Sequence, residues 1–127
     1  VTLADLADLQ RQGLVKVTGK GKYGSKRCTV DGQAFDSKSE ARRWLELKDM
    51  QRRGVITGLI RQVEYPLVVG GIHVASYFAD FEFYTAKGVK ITEDVKAKSG
   101  VTMTQLYKLK KKLVFACHGV RITEHFV

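Results

Sequence analysis

The sequence predicts an α/β domain with its elements in the order helix, three strands, helix, strand. Three observations carry that expectation. Residues 38–53 and 102–118 space their apolar side chains at helical intervals. Between them lie three runs rich in alternating apolar and polar residues, separated by glycine-bearing turns. A fourth such run, "VRITEHFV", follows the second helix. No stretch of eighteen apolar residues is present, so no membrane-spanning helix is expected.

Each element has a local reason. Residues 3–12 can form a short helix, with Thr2 as N-cap, Leu3, Leu6, Ala7 and Leu9 on one side, and Gly13 as the stop. The acids in "VTLADLADLQ" and the lack of a basic leader argue against a secretory signal. Next, "KVTGKGKYGSKR", residues 16–27, holds five basic residues, three glycines and no acid. It reads as a loop or basic arm. Residues 1–22 are thus expected to form an N-terminal helix and arm, and residues 23–127 the main domain. "RCTVDGQAF" is a small hairpin, because Asp31-Gly32 favours a type I′ turn.

The first long helix, 38–53, is capped by Ser37 and ended by Gly54, with Ala41, Trp44, Leu45 and Leu47 on its apolar side. The strand "LIRQVEYPLVV" runs to Gly70-Gly71, and Pro66 marks it as an edge strand or an irregular one. "IHVASYFADFEFY" and "VKITEDVKA" are the second and third strands. In the second long helix Leu106, Leu109, Leu113 and Cys117 are expected on one side and Lys108, Lys111 and Lys112 elsewhere, with Gly119 as the stop.

Twenty-two Lys and Arg against thirteen Asp and Glu give a net charge of +9, which points to a polyanionic partner, most simply DNA. Cys28 and Cys117 lie far apart and form no CxxC pair, so neither a zinc knuckle nor a disulfide framework is expected. A reducing, intracellular setting fits that pattern. His73, His118 and His125 are scattered as well.

The third strand holds residues that strands usually avoid. Glu93, Asp94 and Lys96 interrupt Val89, Ile91 and Val95. Alternation places Asp80 and Glu82 on one face of the second strand, and Asp94 and Lys96 on one face of the third. The turn between them sets the register. A three-residue loop, Ala86-Lys87-Gly88, would pair Thr85 with Val89 and so set Asp80 opposite Asp94. A four-residue loop would place Glu93 opposite Asp80. The first register gathers Asp80, Asp94 and Lys96 on one face, with Cβ atoms of the two acids about 4.5–5.5 Å apart. Such carboxylates repel unless a proton or a cation lies between them, and oxygen-only ligation favours Mg²⁺, or Mn²⁺ as a substitute. Lys96 would sit within reach of a phosphate held there. The competing reading is an exposed strand face with ordinary cross-strand charge pairs.

"YFADF" with Asp80, and "EDVK" with Asp94 and Lys96, resemble the PD-(D/E)xK signature of restriction-endonuclease-like nucleases. Helix, three strands, helix, strand is the core order of that superfamily. "KYGSKRCTVDGQAFDSKSEARRWLELKDMQRRGVITGLIRQVEYPL", "EDVKAKSG" and "YKLKKKL" further resemble a family of small phage and prophage proteins. Those proteins are described as of unknown function, or as endonuclease-like or Holliday-junction-resolvase-like. The resemblance covers about residues 22–127; the usual Pro before the first acid is Ala79 here.

The resemblance implies a mixed central sheet with an αβββαβ core and a Mg²⁺-dependent endodeoxyribonuclease. It implies Asp80 and Asp94 as metal ligands, Lys96 as the catalytic lysine, and Glu40 as an auxiliary acid and third ligand. Gln62 and Glu82 are expected near the site. Glu40 has a second explanation, because Ser37-x-x-Glu40 is a capping box. Lys98, Lys108, Lys111 and Lys112, with Lys22, Lys26 and Arg27 in the basic arm, are the expected DNA contacts. Cleavage of branched or Holliday-junction DNA by a homodimer, in the cytoplasm of a phage-infected cell, is the expected role. A site-specific nicking enzyme or a non-catalytic DNA-binding packaging or replication accessory protein are the alternatives.

Overall fold

The computed structural model describes residues 15–20, 26–100 and 102–127. The helix expected over 3–12 and Lys22 lie outside the described residues. The chain divides into two compact units, residues 1–52 and 53–127.

In the first unit β1 (Val15–Lys20), β2 (Lys26–Val30) and β3 (Gln33–Phe35) form an antiparallel sheet in chain order. Residues 16–20 and 26–27, expected as part of a loop or basic arm, are strand instead. Val15, Val17 and Thr18 are β-branched, and their preference for a pleated ladder outweighs the glycines and lysines around them. Lys26 and Arg27 accordingly begin β2, opposite Lys20 and Gly19. The β2–β3 turn is the expected one: Asp31 and Gly32 have φ of 51° and 77°, as a type I′ turn requires. Helix α1 (Lys38–Arg52) follows. Its inward residues Ala41, Trp44 and Leu47 are buried, and Phe35 meets Trp44 with ring centroids 6.2 Å apart.

The second unit is a mixed four-stranded sheet with one helix. Strands β4 (Ile56–Val69), β5 (Ile72–Thr85) and β6 (Lys90–Lys96) form an antiparallel meander. Helix α2 (Gln105–His118) then carries the chain over to β7 (Ile122–Phe126), which lies parallel to β6. A parallel neighbour cannot be reached by a tight turn, which is why the helix stands here. The sheet order is β4-β5-β6-β7. Strand β4 is an edge, and its register shifts between Leu67 and Val68, as Pro66 foretold. The order of helix, three strands, helix and strand is therefore present, and the protein is a mixed α/β fold.

Helix α2 starts at Thr104, whose side chain accepts from the Tyr107 amide, and ends at Gly119 in the left-handed conformation. Its core residues are Tyr107 and Val114, which join Tyr65, Leu67, Tyr77, Ala79 and Ile122. Met103 and Leu113 pack against that cluster. Leu106 and Leu109 do not; both are exposed, which corrects the expected apolar side by about one residue. Among the described residues no helix is long and apolar enough to cross a membrane.

Candidate active site

The site begins with a turn. Thr85 N–H donates to Val89 O, Gly88 N–H donates to Thr85 O, and Gly88 has φ of 80°. This is the three-residue closure expected from Ala86-Lys87-Gly88. It sets the β5–β6 ladder: Tyr84 faces Lys90, Phe83 faces Ile91, Glu82 faces Thr92 and Phe81 faces Glu93. The next pair in that register is Asp80 and Asp94. There the regular rungs stop and the carboxylates take their place. Asp94 Oδ1 accepts from the Asp80 amide at 3.0 Å, and Asp80 Oδ2 accepts from the Val95 amide at 2.9 Å. Each acid thus bonds the other strand's backbone and keeps one oxygen outside these two bonds.

Three further groups complete the cluster. Lys96 lies two residues past Asp94 on the same face, with Nζ 3.9 Å from Asp94 Oδ2. Only 11% of its side chain is exposed. Its ammonium stands over the Tyr107 ring, 3.5 Å from the centroid, a cation–π contact in a largely desolvated place. Tyr107 in turn donates its hydroxyl to Glu124 Oε2 at 2.8 Å, and Lys111 Nζ is 3.3 Å from Glu124 Oε1. Both Glu124 oxygens are thereby engaged. Glu124 faces Asp94 across the parallel β6–β7 ladder.

On the other side of β5, Gln62 interrupts β4 between the Arg61–Phe81 and Val63–Ala79 pairs, which brings it to Asp80. Its side chain hydrogen-bonds the Asp80 carboxylate. Its φ is 53°, a left-handed backbone that costs a residue with a Cβ roughly 1–2 kcal/mol. Strain of this kind tends to be kept where a side chain must be aimed.

Charge is the unsettled quantity. Burial pushes the Asp80 carboxyl up to about 6, against the pull of the Val95 amide, Lys96 and Gln62. Burial raises Asp94 as well, opposed by the Asp80 amide and Lys96 and reinforced by Glu124. Two desolvated carboxylates therefore stand together, with Lys96 beside them and Lys111 adding a weaker pull on Asp94. The donors are hard oxygens, which suit Mg²⁺ or Mn²⁺. Among the described residues no group of three or more His, Cys, Asp or Glu side chains is arranged to hold a metal. Mg²⁺ does not need one, since it is commonly held by one or two carboxylates with water and phosphate oxygens filling its remaining positions.

The other expected residues fall in different places. Glu82, expected near the site, is buried two rungs nearer the turn. Its Oε2 accepts from the Tyr65 hydroxyl and, at 3.0 Å, from Thr92 Oγ1. Lys90 Nζ is 3.9 Å from that same oxygen. Glu93 is also buried, at 3% exposure. Glu40 belongs to the first unit, where its amide donates to Ser37 Oγ at 3.1 Å, half of the capping box. Lys98, Lys108 and Lys112 are exposed, whereas Lys111 is held by Glu124. Tyr107 and Glu124 were not singled out as site residues. Tyr107 sits in a helix that reads as surface lysines, and Glu124 reaches Asp94 only through a parallel register that no turn announces.

Over residues 20–126 the chain matches the family described as Protein of unknown function (DUF1064), and it belongs to that family. No match is found among curated proteins or among solved structures.

Proposed function

We propose that this protein is a metal-dependent endodeoxyribonuclease with a restriction-endonuclease-like core. The observation that carries the reading is the Asp80–Asp94 pair with Lys96 beside it. Two desolvated carboxylates meet where the β5–β6 ladder ends, and a lysine stands 3.9 Å from one of them. In this reading Asp80 and Asp94 would hold Mg²⁺, or Mn²⁺ in its place. When bound, the cation supplies charge neutralisation at a scissile phosphate and acidifies an attacking water. Lys96 orients that water or stabilises the charge that develops on the phosphate. Gln62 and the Val95 amide fix the Asp80 carboxylate, and Tyr107 fixes Lys96. Hydrolysis would leave 5′-phosphate and 3′-hydroxyl ends.

The exposed cations Lys98, Lys108 and Lys112 support a DNA backbone as the substrate, and the net charge of +9 agrees with it. Branched or Holliday-junction DNA is the proposed target. Paired cuts across a junction call for a homodimer, and the bacterial cytoplasm during phage infection is the proposed setting. The test compares wild type with Lys96→Ala on a labelled four-way junction and a matched linear duplex, in Mg²⁺ and in EDTA. Metal-dependent cleavage that disappears in the variant is expected. Tight binding without cleavage in Mg²⁺, or in Mn²⁺ put in its place, would sink the nuclease reading and favour a DNA-binding accessory protein.

A further inference from the structure

Beside the site, the outer side of α2 and the start of β7 enclose a groove of about 730 Å³. Its floor is apolar, with Leu109, Phe115 and Val120, and its rim carries Lys108, Lys112 and Arg121. Among the described residues no carboxylate lines it. Leu109 and Phe115 are 54% and 46% exposed. The Arg121 guanidinium lies over the Phe115 ring, 4.3 Å from its centroid. An aromatic platform backed by a guanidinium and rimmed with lysines is the combination on which unpaired bases stack while their phosphates are neutralised.

We infer that this groove is a path for single-stranded DNA leading to the Asp80–Asp94–Lys96 site. Charge complementarity selects a polyanion. The apolar floor then selects among polyanions. A duplex presents phosphates and sugars to such a surface, so Leu109 and Phe115 would contribute little to holding it. Unpaired bases expose their faces and gain about 1–3 kcal/mol each from an aromatic partner. Contacts also join the groove to the site. Lys111, which lines it, binds Glu124; Glu124 accepts from Tyr107; and the Tyr107 ring carries Lys96. The inference rests on the nuclease reading only for its choice of DNA. Among branched substrates it favours those with an unpaired strand beside the scissile bond, such as flaps, over the fully paired four-way junction.

The test is fluorescence anisotropy in EDTA, with a fluorescein-labelled oligothymidylate and a duplex of equal length as probes. Phe115→Ala should weaken oligothymidylate binding about tenfold and duplex binding less than about twofold. Leu109→Ala, at an equally exposed position, should give the same pattern more weakly. Lys112→Ala should weaken both probes and lower the salt slope by about one. Equal loss on both probes in Phe115→Ala and Leu109→Ala, or no loss on either, overturns the inference. So does tighter binding of a glutamate–leucine peptide than of oligothymidylate, which would make the groove a protein-docking surface. Cleavage is read separately. Intact metal-dependent cleavage with no preference for the single strand removes the groove and leaves the nuclease. A kept preference with no cleavage removes the nuclease and leaves the groove.

Discussion

Two positions on one face of the β5–β6 hairpin, two rungs apart, both bury acids, and they do it in opposite ways. At Glu82 and Thr92, neutral hydroxyls from Tyr65 and Thr92 meet a single carboxylate, with Lys90 close by. At Asp80 and Asp94, two carboxylates meet backbone amides and share Lys96. The first rung is a satisfied polar contact within the sheet. The second has more negative charge than its surroundings neutralise, and β4 is strained at Gln62 beside it. Burial of an acid is thus no sign of chemistry by itself. Surplus charge next to local strain is the better sign.

That contrast can be broken from either side. The largest effect expected is on cleavage: Asp94→Asn should lower kcat at least about a hundredfold, whereas Glu82→Gln should leave it within about threefold. Equal losses in a steady-state cleavage assay would erase the distinction between the rungs. The next effect is on stability. A carboxyl whose folded pKa is raised above its unfolded value costs the fold nothing while both states are protonated, and destabilises it as pH rises between the two values. For Asp80 the window is about pH 4 to 6. The metal-free protein should therefore lose stability across that window and stay lower above it. Asp80→Asn should recover on the order of 2 kcal/mol at neutral pH, seen as a rise in Tm that is absent near pH 4.

Smaller effects sharpen the picture. Tyr107→Leu removes the ring under Lys96 and should lower kcat about tenfold with KM little changed. Tyr107→Phe keeps the ring and should restore most of that loss, while an equal loss in both variants would assign the effect to the Glu124 hydrogen bond instead. Gln62→Gly relieves the left-handed backbone and should raise unfolding free energy by about 1 kcal/mol, yet reduce cleavage by freeing Asp80. Denaturant titration and the cleavage assay read the two halves of that trade.

The meander was legible because its turns are local. Ala86-Lys87-Gly88 alone determines that Asp80 meets Asp94, and Gly70-Gly71 closes the preceding hairpin. What depended on longer reach was harder to read. Leu106 and Leu109 have helical spacing, but the sheet takes Tyr107 and Val114 instead, because packing rather than periodicity selects which stripe is buried. The charge and glycines of residues 16–27 concealed β1, because they read as one continuous loop rather than as strands on either side of it. Glu124 could not be placed, since a parallel strand's register is set by the helix between.

The same division between local and distant pairing has a kinetic consequence. Two short turns can close β4, β5 and β6 at little cost in chain entropy, so the two acids are expected to meet early in folding. The lysine's aromatic seat forms only when α2 has docked and β7 has aligned beside β6, the slow, non-local step. A chain halted before that step would hold its acid pair with Lys96 unanchored. In the proposed reading, nuclease activity would then appear with the last docking event, and a half-folded chain would spare the DNA around it.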